Sequence, residues 1–429
     1  MHRGTSRRVL LAGLALLIVS TALSPVRRDT PPAETPGGAA QARFDPIQAT
    51  EDYLAKVPAA DRARSDAYFE GGYWLQLWGF LYGLAVAWVV LGTGLSRRMK
   101  ALAERVTRRK PVHTWLYGAQ YLVAIAVLTF PLTVYQGFFR EHKYGLATQN
   151  FPQWMRDQLV GLAVGLVLVP LLLVVLYGVF RRAPRTWWLW GSGVAVVFLV
   201  FVTLIAPVYI DPLFNKYEPL HDAQVKGEIL RLARASGIEV DDVFQFDASR
   251  QTTRVSANVS GFMGTMRIRL NDNLLKRCSL PEIKAVMAHE MGHYVLNHVY
   301  ESIIFFVIVL VGGFAFVRGG FDWVRRRFGS GWGIEGIEDS AGLPLLVALL
   351  SVYFFVLTPF LNTYIRVNEA EADIYGLQAA GEPDGFAEVA LKLSEYRKLE
   401  PGPVEEWILF DHPSGRSRIR MAMRWKAEQ

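Results

Sequence analysis

The sequence predicts a mainly α-helical protein that crosses a membrane six or seven times and carries an α+β segment with a metal-binding motif. Hydrophobic residues make up 52% of the 429 residues and charged residues 20%, a composition too apolar for a soluble protein of this length. Six apolar stretches approach the ~20 residues needed to cross a bilayer. The motif, which runs from His289 to His293, lies between the fourth and the fifth of them.

The predicted crossings are residues 72–95, 117–138, 157–180, 187–209, 301–317 and 343–361. A shorter apolar run at 9–23 follows three arginines and suits either a signal-peptide core or a first membrane helix. We favour a retained anchor within residues 1–24, because Pro25 directly follows the most obvious cleavage point. Residues 25–70 are predicted to be a linker, since their first part is rich in Pro, Ala and Gly.

The motif lies on a predicted helix with a clear start signal. Ser279 and Glu282 have the spacing of a capping box, and Pro281 between them suits the first helical turn. On such a helix His289 and His293 are one turn apart, so that their imidazoles can bind one zinc ion. Glu290 projects beside them, where it can act as a general base.

A catalytic zinc site takes three protein ligands, so a third ligand must lie elsewhere in the chain. On a continuing helix His298 would lie about 500° round from His293 and off the metal face, which predicts a surface or membrane-interface histidine. Glu369 and Asp373 are spaced i, i+4 on a helical run, so Glu369 can ligate the metal while Asp373 accepts a hydrogen bond from a ligand imidazole. Glu371 is predicted to be solvated. The residues alone equally allow a solvated acidic helix face.

The order of the crossings favours Glu369 as the third ligand. Two predicted membrane segments separate His293 from Glu369, and an even number of crossings returns the chain to the same side. The zinc domain would then be split by a membrane hairpin. The predicted organisation is a four-helix membrane region at 71–209, a first protease part at 210–300, the hairpin at 301–361 and a second protease part at 362–429.

The segment at 210–300 has an α+β character. Residues 222–236 are predicted to form a helix, and residues 240–246 and 266–270 two strands. An edge strand near the metal can pair with an extended peptide.

Charge and cysteine content exclude some alternatives. The net charge is +7, but the basic clusters flank apolar stretches and therefore indicate membrane topology rather than a nucleic-acid partner. The arginine and lysine counts place the N-terminus and the loops at 96–116, 181–186 and 318–342 in the cytoplasm, which puts the zinc domain outside. Cys278 is the one cysteine, so internal disulfides and cysteine-based zinc sites are excluded.

Several spaced motifs together resemble the type I CAAX prenyl endopeptidases. They are His289–His293, Glu369–Asp373, Ile210–Lys216, Glu141–Gly145 and His412-Pro413, and the resemblance covers roughly residues 130–425. It implies seven membrane helices around a hydrated chamber, one zinc ion, and peptide or protein substrates that include lipidated or membrane-tethered ones. In a bacterium the protein would lie in the plasma or inner membrane.

The resemblance also assigns roles to individual residues. It implies that His289, His293 and Glu369 bind zinc and that Glu290 is the general base. It also implies that Asp373 contacts one of the zinc ligands rather than the zinc ion itself. It further implies that His412 and Arg418 contact the substrate or the developing oxyanion.

The chain departs from this family in two respects. Where the family has Asn-Ala on the substrate-pairing edge, this chain has Ser256-Ala257 with Asn258 next, and we expect these three residues to bind substrate. The eukaryotic relatives place the active site toward the cytosol, opposite to the charge count, so the side of the membrane stays open.

Two other functions are compatible with parts of this pattern. One is a membrane-protein quality-control zinc protease, although such enzymes have fewer helices. The other is a non-catalytic membrane chamber or transporter with a structural zinc ion, against which Glu290 argues, because a structural site needs no base.

Overall fold

Six long apolar helices form the membrane part of the protein. In the computed structural model, which describes residues 44–260 and 266–429, the helices long and apolar enough to cross a bilayer span Ala59–Gly92, Lys110–Lys143, Phe151–Arg182, Trp187–Leu213, His298–Phe328 and Ser340–Ala380. Each of the six predicted crossings therefore coincides with one of these helices, which confirms a multi-pass membrane protein. The predicted crossing at 9–23 lies outside the described residues, and the orientation stays a prediction.

The helices are, in chain order, α1 Pro46–Ala55, α2 Ala59–Gly92, α3 Leu95–Val106, α4 Lys110–Val134, α5 Phe151–Arg182, α6 Trp187–Ile205, α7 Ala223–Ala235, α8 Asp272–Arg277, α9 Leu280–Val295, α10 His298–Phe328, α11 Leu343–Ala380, α12 Pro383–Leu393, α13 Pro403–Leu409 and α14 Gly415–Ala427. A π-helical turn extends α4 toward Lys143, and another extends α6 toward Leu213. The membrane helices pack around buried aromatic residues, including Tyr117, Tyr177 and Phe180.

Residues 46–70 differ from the predicted linker, because they form α1 and the start of α2. The Asp45 carboxylate accepts a hydrogen bond from the Ile47 backbone N–H, which caps α1. Leu54 of α1 is buried in a cluster with Ile419 and Met423 of α14. Packing against a distant helix orders this segment, and local sequence did not indicate that contact.

A four-stranded sheet lies between the membrane helices and the metal helix in the chain. Its strands are β1 Tyr217–Pro219, β2 Val243–Phe246, β3 Ala257–Ser260 and β4 Arg267–Asn271, in the spatial order β1-β2-β4-β3. β2 and β4 pair in parallel, and the outer pairs are antiparallel. β2 and β4 correspond to the predicted strands. The sequence pattern did not predict β1 or β3 as strands; β1 is three residues long, too short to show a period.

Candidate metal centre

Two closely packed helices, α9 and α11, bring the predicted metal ligands together. Glycine makes this approach possible, because a Cβ atom on Gly376 would lie 2.9 Å from the His289 backbone nitrogen and one on Gly292 would lie 3.2 Å from the Ala372 Cα. The helices are therefore in backbone contact at the level of the HExxH motif. Their carboxylate and imidazole groups can reach one point between them.

The start of α9 is fixed as the sequence predicts. The Ser279 backbone N–H and hydroxyl both donate to the Glu282 carboxylate, and Pro281 lies in the first turn. Lys392 of α12 pairs with Glu282 at 2.7 Å. The cap and this ion pair hold the helix that carries His289 and His293.

His289, His293 and Glu369 form a group that could hold a metal ion. The two Nε2 atoms are 3.3 Å apart, and they lie 3.2 and 3.4 Å from the Glu369 carboxylate oxygens. An ion with tetrahedral ligands at about 2.0–2.1 Å separates those ligands by about 3.3–3.4 Å. The two imidazoles and the Glu369 carboxylate, each of whose oxygens approaches one imidazole, therefore lie close enough together to share one zinc ion.

His289 is held from behind by a buried ion pair. Its Nδ1 lies 2.7 Å from the Asp373 carboxylate, and Asp373 is fully buried. The Arg418 guanidinium donates to both Asp373 oxygens through Nε, at 2.9 Å, and Nη2. Burial opposes a positive charge on His289, but Asp373 and Glu369 outweigh it and raise the pKa of this imidazole to about 9.

Glu290 lines the cavity beside the ligands and makes no ion pair or hydrogen bond with the described residues. Burial raises the pKa of its carboxyl above the ordinary value, although His289 and His293 oppose the shift. His412 also lies beside Glu369. Its Nε2 is 3.3 Å from a Glu369 oxygen, and its Nδ1 is 2.8 Å from Asp411.

His298 is not at the surface, and that prediction was wrong. Only 3% of its surface is exposed, and its Nδ1 lies 3.0 Å from the Nδ1 of His293. The helical extrapolation failed because α9 ends at Val295 and Asn297 adopts a left-handed conformation with φ 62°. The turn redirects His298 back toward His293.

A hydrogen-bonded chain therefore runs outward from His293. When the Nε2 of His293 faces the metal position, its Nδ1–H can donate to His298, whose Nε2–H can donate to Glu371 at 3.1 Å. Glu371 is 56% exposed at its side chain, as predicted, yet it accepts this bond. These two hydrogen bonds, from His293 to His298 and from His298 to Glu371, fix the tautomer and ring plane of His293.

His298→Phe is expected to lower zinc affinity by about 10- to 100-fold, because the Nδ1 of His293 loses its hydrogen-bond partner. Phenylalanine keeps an aromatic ring at this position, so the packing changes little. Competition with a chromophoric chelator measures this affinity. His221→Phe, at an exposed histidine on the protein surface, is the matched control. Unchanged zinc affinity in His298→Phe would contradict the role given to the hydrogen bond between His293 and His298.

A cavity of about 230 Å³ opens onto these groups. Ser256 and Ala257, two of the three residues expected to bind substrate, line it, while Asn258 is exposed and is not among its lining residues. The sequence did not indicate Tyr396 and Arg397, which also line it. They follow α12 in a segment without a motif, and their position depends on how that helix packs against α9.

At the edge of the sheet, backbone groups that the described strands leave unpaired face this cavity. Among the described residues β3 pairs only with β4, and the Asn271 N–H donates to the Ser256 carbonyl. Because hydrogen-bonded pairs alternate along an antiparallel ladder, the N–H and C=O of Ala257 point away from β4. An extended peptide can pair there, beside the metal ligands.

Comparison with known proteins gives consistent matches along most of the chain. Residues 219–426 match the model of peptidase family M48, and residues 48–216 match the model described as CAAX prenyl protease N-terminal, five membrane helices. Four of the long apolar helices lie in that second range.

Individual relatives extend these matches. An uncharacterized metalloprotease of Bacillus subtilis, YhfN, is 30% identical over 349 residues, covering 80% of this chain and 82% of the relative. A CAAX prenyl protease 1 homolog of Arabidopsis thaliana is 28% identical over 316 residues, covering 72% and 73%. The crystal structure of S. mikatae Ste24p has the same fold, with a TM-score of 0.73 at 21% identity, over 88% of this chain and 95% of that one.

Proposed function

We propose that this chain, which belongs to peptidase family M48 and is an integral-membrane zinc metalloendopeptidase of the CAAX prenyl protease type, cleaves peptides that a prenyl group tethers to the membrane. The observation that carries the substrate assignment is the position of the metal site. Glu369 belongs to the long apolar helix Ser340–Ala380, and His293 lies shortly before the helix His298–Phe328. A peptide tethered by a lipid would be presented close to both.

One zinc ion would be held by His289, His293 and Glu369, whose donor atoms lie close together and have the chemistry that zinc requires. When bound, zinc polarises the scissile carbonyl and makes water more acidic. Asp373 orients His289, and the hydrogen bond to His298 orients His293. The ligands come from a protease domain in two parts, residues 210–300 and 362–429, on either side of the membrane hairpin at 301–361.

Glu290 is the general base. It takes a proton from the attacking water as the new C–O bond forms, and it returns the proton to the departing amine as the C–N bond breaks. Its freedom from ion pairs with the described residues supports this role. The pKa raised by burial brings the carboxyl closer to neutral pH, which favours proton transfer in both directions.

His412 and Arg418 supply positive charge. Asp411 accepts from the His412 Nδ1, so Nε2 carries a proton only in the imidazolium form, which can donate to the developing oxyanion. Arg418 contributes through its charge and through Asp373, because two of its nitrogens are bonded to that carboxylate. Ser256 and Ala257 provide the strand edge for the substrate backbone, and Asn258 borders that edge.

Cleavage of a farnesylated CAAX peptide by the detergent-solubilised protein tests the proposal. We expect cleavage that a zinc chelator abolishes, and weaker cleavage of the same peptide without the farnesyl group. Casein that is cut while the farnesylated peptide stays intact would favour the quality-control function instead. Bound zinc without cleavage of either substrate would favour the non-catalytic alternative.

A further inference from the structure

Two arginines line the metal cavity, and they differ in their partners. Arg418 is bonded to Asp373. The guanidinium of Arg397, by contrast, has no hydrogen bond or ion pair with a side chain or backbone group in residues 44–260 and 266–429; its backbone carbonyl accepts from Ser65. A guanidinium offers five N–H donors in a planar fork, and Arg397 is among the residues that line the cavity.

Such an arrangement is unfavourable in the free protein. Burial, and then the like charge of Arg418, lower the pKa of Arg397 below its ordinary value. Removing a charged group from bulk water without a counter-charge costs free energy. A ligand that carries a negative charge would offset this cost.

The carboxylates around Arg397 have other partners. Asp411 and Glu369 act on its charge, but Asp411 is bonded to His412, and Glu369 lies against both ligand histidines. Neither comes within ion-pair distance of Arg397, and Glu290, which lines the same cavity, makes no ion pair or hydrogen bond with it. The positive charge at this wall is therefore not neutralised by the described part of the chain.

The surroundings of Arg397 strengthen its interaction with an anion. It also borders a smaller cavity of about 30 Å³, which Phe69, Leu399 and Phe410 help to line. Apolar walls limit the screening by water, so a charge pair formed there is stronger than one at an open surface.

We propose that Arg397 binds a carboxylate of the substrate, so that the enzyme prefers peptides with a negative charge within a few residues of the scissile bond. The inference rests on the proposed function. The carboxylate can be the free C-terminus of a peptide cut close to its end or an acidic side chain. In both cases the planar fork matches two carboxylate oxygens.

Three farnesylated peptides of one sequence separate these sources: one with a free C-terminal carboxylate, one with a C-terminal amide, and one amidated with glutamate as its last residue. Hydrogen bonds to charged groups predict kcat/KM about 10- to 100-fold higher for the free carboxylate than for the amide in the wild type. Arg397→Gln is expected to bring the kcat/KM values of the free carboxylate and the amide together. Arg397→Lys should keep part of the difference. Arg64→Gln, which removes an exposed charge at a neighbouring cavity, should change nothing.

Each outcome bears on the inference. Recovery with the glutamate peptide would extend the site to side-chain carboxylates, whereas no recovery restricts it to the C-terminus. An unchanged ratio between carboxylate and amide in Arg397→Gln overturns the inference. So does an equal loss of kcat for both peptides, which would mean an effect on the chemical step. If the wild type cuts none of the three peptides, the proposed function itself has failed.

Discussion

Glu290→Gln is expected to lower kcat by about 10²- to 10⁴-fold while the purified protein retains its zinc. The loss follows because glutamine cannot take the proton of the attacking water, and general acid–base catalysis contributes an acceleration of this size. Zinc stays because the donor atoms belong to His289, His293 and Glu369, whereas Glu290 has no contact that holds them. Peptide cleavage and metal content measured on one preparation check both parts.

Two comparisons make this result specific. Glu239→Gln changes an exposed glutamate far from the motif in the chain and should leave activity and zinc unchanged. Glu369→Gln should instead lose zinc and activity together, since it removes a charged ligand. Zinc loss in Glu290→Gln equal to that in Glu369→Gln would contradict the separation of base and ligand, and full activity in Glu290→Gln would contradict the role of the base.

Local signals predicted the metal helix correctly, because everything they depend on lies within one helix. The capping box at Ser279 and Glu282 fixes the start of α9, and i, i+4 spacing then puts both histidines on one side. Glu369 needed a further argument from membrane topology. The glycines at the crossing, Gly292 and Gly376, lie three residues after His289 and Asp373, and this shared spacing was an available signal that two helices meet there.

The parts that were not predicted depend on contacts between distant segments or on a break in periodicity. His298 was misplaced because the single left-handed residue Asn297 ends the helical phase. Arg397 carries no motif, and only the fold brings its segment to the metal cavity. The edge strand β3 is four residues long, and its place in the sheet depends on pairing with β4, which a local sequence pattern does not indicate.

Arg418→Met is expected to lower the free energy of unfolding by about 3–5 kcal/mol, the usual cost of leaving one member of a buried ion pair without its partner. Asp373 is fully buried, and Arg418 is 8% exposed. Zinc affinity should fall as well, by about 10- to 100-fold, because a displaced Asp373 no longer orients His289. Arg416→Met is the matched control on the same helix, since its pairs with Glu51 and Glu400 are partly exposed and should be worth about 1 kcal/mol or less.

The double variant Asp373→Leu/Arg418→Met separates stability from metal binding. It removes both buried charges, so chemical denaturation in detergent micelles should show most of the stability restored relative to Arg418→Met. Zinc affinity should stay low, because neither variant keeps Asp373 in place beside the Nδ1 of His289. Recovery of both properties would mean that Asp373 serves only to neutralise Arg418, whereas recovery of neither would mean that the pair is needed to pack α14 against α11. Recovery of stability alone identifies Asp373 as the residue through which α14 supports the metal ligand.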